Sequence, residues 1–502
     1  MTGTIFKNGG NVPPIKLNGS AKTTLSRVAM FLGEVRDGLT MINMQNAFLI
    51  TSKNYSEKEA GVMFFVFGMS QFFFQTPAGY LMDYSDKKVT LLGLAAVLTT
   101  MLTIATAILA KDDGENFGLM VFFKLLQGAV TALIPPGLNS ITQGIVGSEG
   151  MTDQVSKNEI MNHFGTAIIV LSGSLLAFGL YPNIGMLFIV SPIACIGMIY
   201  FLCQIRPEDI DHNVARGLVS SSSAKSDSNY KPPTLDSQQN INNKPSFIFG
   251  FGAKSTDSPD EYLNGSPKAD TPLKVLRDPL LLTFILICFC FHLSNATVLP
   301  LVMQTLALDN GRSGILMSGS CIIVSQIIMV LSAKICGDYS GVYGRKKLFI
   351  IGLLTLPIRC FILTALVAMR GDDESNFLNV LILSTQLLDG VGAGIFGTMY
   401  VLVTSDISGG TGRFSLTLGL TTSAMSIGGT ISGYLGQALA QDVGYREAFL
   451  ILGFISLISV SVYLLCMPET LPSFEETEAK REIVMTSIAE GDEENVVENK
   501  IV

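Results

Sequence analysis

The residues of this chain that could do chemistry are ionisable or amide side chains set inside long apolar runs. Glu34, Arg36 and Asp37 interrupt the run 25–50. At 1.5 Å per helical residue, Asp37 falls ~18 Å from the start of that run, near its middle. Glu34 and Asp37 are three apart and share a helical face, whereas Arg36 points elsewhere. Further on come Lys124 and Gln127, the pair Asn162-His163, then His292 and Asn295, Arg359, and finally Gln386 and Asp389. A charge at such a position costs roughly 3 kcal/mol in a bilayer, so it pairs, lines a cavity or changes protonation. Three chemistries follow: hydrogen bonding of a small polar solute, proton exchange, or ion pairing that fixes one helix against another. For Glu34, Arg36 and Lys124 the pairing and solute- or proton-handling readings stand side by side. Asp389, beside Gly390, Gly392 and Gly394, is the sharper proton candidate; its alternative is a pair with Arg359 or Lys124. Arg359 reads as structural, and His163 as a hydrogen-bonded packing residue rather than a relay. His292 and Asn295, three apart, could line a cavity, although Asn295 equally suits an interhelical hydrogen bond.

The elements that must hold these groups are legible from composition. Apolar residues make up 48% of the chain and charged residues 15%, with mean hydropathy +0.45, far from the balance of a soluble domain. Runs long enough to cross a ~30 Å hydrocarbon core as helices lie near 25–50, 60–82, 89–110, 117–145, 160–181 and 184–204. A second set lies near 279–306, 313–336, 348–369, 377–404, 414–440 and 446–467. The runs are continuous rather than alternating, which argues against a β-barrel. The expected fold class is therefore an all-α membrane protein of twelve helices in two six-helix bundles.

The domain reading is a tail at 1–24, one bundle at 25–204, a linker at 205–275, a second bundle at 276–468 and an acidic tail at 469–502. The linker is rich in Ser, Asn and Gln and is expected to be disordered, with a short helix near 207–217. Residues 1–24 lack an apolar signal stretch, so the first run serves as the insertion signal. The net charge of −8 sits largely in the last tail, and no basic patch with interleaved aromatics appears, so nucleic acid is not an expected partner. All eight Cys fall in apolar runs and read as free buried thiols. With three His, no metal-ligand spacing and no Gly-x-Ser-x-Gly, neither a metal site nor an enzyme is expected, and no cofactor is implied. Short-loop Lys and Arg give 8 against 6 in favour of cytosolic termini.

The halves are related by an internal repeat. Asp83-Tyr-Ser-Asp-Lys-Lys88 closes the second run, and Asp338-Tyr-Ser-Gly-Val-Tyr-Gly-Arg-Lys-Lys347 closes the eighth, 255 residues on. Lys124-Leu-Leu-Gln-Gly128 likewise has a twin in Gln386-Leu-Leu-Asp-Gly390. Both turn copies resemble the Gly-x-x-x-Asp-Arg-x-Gly-Arg-Lys loop of the major facilitator superfamily. The first copy has Tyr84 in the Arg position and Asp86 in the Gly position, and the second carries an extra Val342-Tyr343. Phe31–Gly38, Gln75–Gly79, Gln386–Gly397 and Gly410–Phe414 look similar to a branch near the drug/proton antiporters. The fifth run reads Ser172-Gly-Ser174 where the antiporter signature has Gly-Pro.

That resemblance implies a carrier that exposes a central site to each side in turn, built around the first, fourth, seventh and tenth helices. Solute or ion contacts are then expected from Glu34, Asp37, Lys124, Gln127, His292, Asn295, Gln386 and Asp389. Gating falls to Asp83, Lys87, Lys88, Asp338, Arg345, Lys346 and Arg413. Asp83 would lie against the positive end of the eleventh helix near Arg413, and Asp338 would face the fifth helix near Asn158. The expected function is transport of a small solute by a monomer in a lipid bilayer, with protons as the coupling ion by antiport or symport. The alternatives are an uncoupled facilitator and a non-transporting receptor or scaffold. Which solute is carried, and in which membrane, is not encoded in these motifs.

Overall fold

The computed structural model describes residues 19–37, 49, 53–180, 188–218, 269–307, 311–370 and 376–471. Every regular element among them is helical. The first station, α1, is broken into Gly19–Ala29 and Leu32–Asp37. Five more complete the first bundle: α2 (Glu57–Tyr84), α3 (Lys88–Leu109), α4 (Phe117–Ser148), α5 (Gly150–Leu180) and α6 (Val190–Leu202). The second bundle holds α7 (Pro279–Leu306), α8 (Gly311–Tyr343), α9 (Arg345–Arg370), α10 (Phe377–Ser408), α11 (Phe414–Asp442) and α12 (Tyr445–Cys466). This is the expected six plus six. Among the described residues, eight of these helices are long and apolar enough to cross a membrane by themselves. Although α2 and α11 have the length, at 28 and 29 residues, they are too polar to meet that measure. Their polar residues face each other across the seam between the bundles. There Thr76 Oγ1 lies 3.1 Å from Ser423 Oγ, and Ser426 Oγ donates to Gln75 Oε1 at 3.0 Å.

The helix α5 begins earlier than the run read from the sequence, and the proline pair of α4 bends its helix. The helix α5 starts at Gly150, ten residues before the expected 160, because Gly147 at φ 71° turns the chain and lets helix resume almost at once. Ahead of it, α4 breaks at Ala132-Leu133, where Pro135 and Pro136 supply no N–H to the preceding turn. Small residues let helices approach closely at several positions. A Cβ on Gly128 would strike the Phe67 carbonyl, and one on Gly390 or Gly394 would strike α8; Gly433 faces open space. Of the eight thiols, Cys203 and Cys466 are exposed rather than buried; both close their helices, where packing ends.

The seam is tightest where α2 meets α11. A Cβ on Gly79 would collide with the carbonyl oxygen of Ser415, and one on Gly419 with that of Gln75. We expect Gly79→Ala to insert normally but to hold this end of the seam apart. A spin-label distance between the ends of α2 and α11 should lengthen in the variant; an unchanged distance would show that the neighbours absorb the methyl group.

The linker begins as ordered chain. Within residues 205–218 the short helix expected near 207–217 is present at His212–Ala215, preceded by a 3₁₀ turn at Pro207–Asp209. Ile205, Ile210, Val214, Ala215 and Leu218 are all buried, which is the apolar content that the low-complexity stretch beyond lacks. The segment is bonded to both bundles. On α4, Ser140 Oγ donates to the Ala215 carbonyl and Gly144 accepts from Asp211 N–H. Across the seam, the carbonyls of Arg216 and Gly217 accept from Phe414 and Gly410 N–H at 3.0 and 2.8 Å. The rest of the linker, 219–268, lies outside the described residues, as do the tails at 1–18 and 472–502.

Candidate functional site

The two repeat loops lie at one end of the molecule, and both touch the seam. Asp83, fully buried at the end of α2, accepts from the backbone N–H groups of Ser415 and Leu416 at 3.0 and 2.9 Å. Those N–H groups belong to the first turn of α11, where helical donors are otherwise unpaired and the dipole favours a carboxylate. Arg413 closes the same corner: its guanidinium lies over the rings of Tyr80 and Tyr84 and donates to Asp270 carbonyl. Lys88, also buried, folds back to the carbonyls of Met82 and Ser85, while Lys87 is exposed.

The second copy is built differently. Asp338 is exposed, and among the described residues no hydrogen bond links it to Asn158, which bonds Thr142 and accepts from Gln154. Arg345 takes the seam position instead. It donates to Asp406 Oδ2 at 3.1 Å, to Ser340 Oγ at 2.7 Å and, across the seam, to Thr152 Oγ1 at 2.9 Å. The Glu469 carboxylate accepts from Arg345 and Lys346 N–H at 2.7 and 3.0 Å and so caps α9. Outside the membrane runs, His212 sits 3.9 Å from Asp86; burial, and then the Lys88 charge, hold its imidazole below the ordinary value.

Deeper in, each bundle holds a polar knot at matching places of the repeat. In the second bundle Arg359 of α9 pairs with Asp389 of α10 and donates to Gln386 Oε1 at 2.9 Å, while Ser325 of α8 donates to Asp389 at 2.7 Å. Arg359 is 1% exposed, so its charge has no recourse to water. In the first bundle Lys124 donates to Gln127 Oε1 at 2.7 Å, lies over the Phe67 ring, and Gln127 donates to Thr103 of α3 at 2.8 Å. Asn295 joins Arg359 and Asp389 around a narrow cleft between α7, α9 and α10. His292 does not join them; its Nδ1 faces Cys288 carbonyl at 3.2 Å and its ring packs on Phe396. Glu34 accepts from Ser191 of α6, and the Asp37 side chain lies outside the described residues.

A third group joins five helices at the centre. Glu159 and His163 of α5 are one turn apart, with Nε2 and Oε2 separated by 3.6 Å. Asn162 donates to the same carboxylate at 3.4 Å, and His163 Nδ1 meets Gln326 Oε1 of α8 at 2.8 Å. Tyr400 of α10, bonded to Thr422 of α11 at 3.3 Å, and Arg36 of α1 are close enough for their charges to act on the group. No side chain at Gly397 blocks the carboxylate from α10.

A sequence profile of the Major Facilitator Superfamily matches residues 28–341 and 335–491. The chain belongs to the major facilitator superfamily. Uncharacterised MFS-type transporters from two strains of Mycobacterium tuberculosis are 29% identical over 473 residues, 94% of this chain and 97% of theirs. The proton:xylose symporter XylE bound to 6-bromo-6-deoxy-D-glucose superposes with TM-score 0.62 at 14% identity, covering 92% of this chain and 99% of its own. A mutant of the nucleoside transporter NupG gives 0.56 at 13%, covering 88% and 99%. At such identities the likeness is one of fold. The protein is thus an integral multi-pass membrane transporter of this superfamily, and its helices are the facilitator's paired sextets.

Within that facilitator, Glu159 is the residue that sequence reading missed. It falls one residue ahead of the run near 160–181, yet it lies well inside α5. The signal was available in Glu159-x-x-Asn162-His163, whose spacing places all three on one helical face.

Proposed function

We propose that this facilitator carries a small polar solute by alternating access, its two bundles rocking about the α2–α11 and α5–α8 seams. The observation that carries the reading is the Asp83 carboxylate capping α11 across the seam. Such bonds to first-turn N–H groups can break without deforming either bundle, and water replaces them when the end opens. Arg345 serves the second loop by bonding Thr152, and the linker segment 205–218 spans the same end. Both termini and the linker lie on the cytosolic side in this reading, and the carrier works as a monomer.

The solute meets the central side chains of α1, α5, α8 and α10, with Lys124 and Gln127 behind them in one bundle and Gln386 and Asp389 in the other. Likeness to the drug/proton antiporters in Phe31–Gly38 and Gln386–Gly397 supports ion coupling over an uncoupled facilitator. Pairing with Arg359 gives Asp389 a structural duty, which leaves proton handling to other carboxylates. Purified protein in liposomes loaded with a labelled mixture of polar metabolites should exchange at least one of them. Partner binding without any solute flux would turn the reading toward a receptor.

A further inference from the structure

We propose that Glu159 and His163 form a one-proton binding site whose affinity is set by closure of the α5–α8 seam. The inference rests on the transport reading only for its use in coupling; the site itself follows from hydrogen-bond bookkeeping. Gln326 Oε1 can only accept, so the 2.8 Å contact to His163 Nδ1 requires the proton to be on Nδ1. In the neutral ring Nε2 then carries a bare lone pair. It is buried, without a hydrogen-bond partner, and faces Glu159 Oε2 at 3.6 Å. Two acceptors aimed at one another in a buried site repel, and one added proton turns that repulsion into an imidazolium–carboxylate bond.

The groups around the site fit this assignment. From α5 itself come Glu159 and Asn162, whose Nδ2 donates to the carboxylate and whose Oδ1 is buried without a partner. The α8 side offers the neutral Gln326, and α10 offers Tyr400 with its hydroxyl bonded to Thr422. From α1, Arg36 adds a positive charge that acts against the proton, opposite in sign to the Glu159 carboxylate. Gln326 belongs to the other bundle, so when the seam opens the Nδ1–H bond is lost and the ring is free to exchange tautomers. The bare Nε2 lone pair is then no longer enforced, and proton affinity changes with the state of the seam. That link between a bound proton and bundle position is what ion coupling needs.

The test uses the whole protein and needs no substrate. The chain has three His, so protein labelled with ¹⁵N-histidine in lipid nanodiscs gives three imidazole signals, assigned by His163→Gln, His212→Gln and His292→Gln. The His163 ring should be the Nδ1–H tautomer at high pH and become doubly protonated on acidification. Glu159→Gln should move that midpoint down by about one pH unit or more, as loss of an opposite charge within 4–6 Å predicts. A ring carrying its proton on Nε2, or a midpoint indifferent to Glu159→Gln, overturns the site. Because the spectrum records protonation and not flux, a failure here is separate from a failure of transport.

Discussion

Replacing Asp83 by Asn is expected to abolish most transport while leaving insertion and folding intact. Asn keeps the size and one acceptor, so a single N–H of α11 can still be met, but the charge facing the helix dipole is gone. Hydrogen bonds to a charged group are worth about 2 kcal/mol each, and loss of one such bond shifts the closed-to-open ratio roughly thirtyfold. Measured flux should collapse, and labelling of a cysteine placed behind the seam should rise. Asp338→Asn provides the contrast. Its side chain is exposed, so the same chemical change there should alter flux little. Equal losses at both positions would mean that the loops act through something other than the α11 cap.

The second large effect is expected at the buried pair. Arg359→Met leaves the buried Asp389 charge without its cation, and Asp389→Leu strands Arg359 in the same way. Removing one partner of such a pair costs about 3–5 kcal/mol, whereas replacing both by apolar residues is often nearly neutral. Each single variant should therefore show a much lower thermal unfolding midpoint in detergent, and the double variant should recover most of it. Gln386 and Ser325, each left with a lost partner, limit that recovery. If Asp389→Asn instead unfolds like the parent and changes the pH dependence of transport, Asp389 is a proton site after all.

How far the sequence was legible depends on what each residue's role is made from. The twelve runs and the repeat could be read because burial in lipid demands continuous apolar stretches, and because both halves kept Asp-Tyr-Ser and Leu-Leu-x-Gly. The position of Asp83 at the start of α11 followed from the superfamily's loop pattern and a simple helix-end argument. Its twin did not. Val342-Tyr343 lengthens the second loop, Asp338 faces outward, and Arg345 bonds the seam instead. Asp389 had two candidate partners, and only the packing of α9 on α10 decides for Arg359. The short helix near 207–217 was legible in the linker, but its packing was not: Ile210, Val214 and Leu218 are too few to stand out beside a long serine-rich stretch, yet each finds a buried site.

In the proposed mechanism the bundles rock, with the repeat-loop end held shut by contacts across the seam. Paired spin-label distances in lipid nanodiscs test it directly, with one pair at Lys87 and Thr271 on that end and another at Glu115 and Val443. In going from the parent protein to Asp83→Asn, the first distance should grow as the second shrinks. Two distances that stay fixed, or that change in the same direction, would contradict alternating access by these bundles.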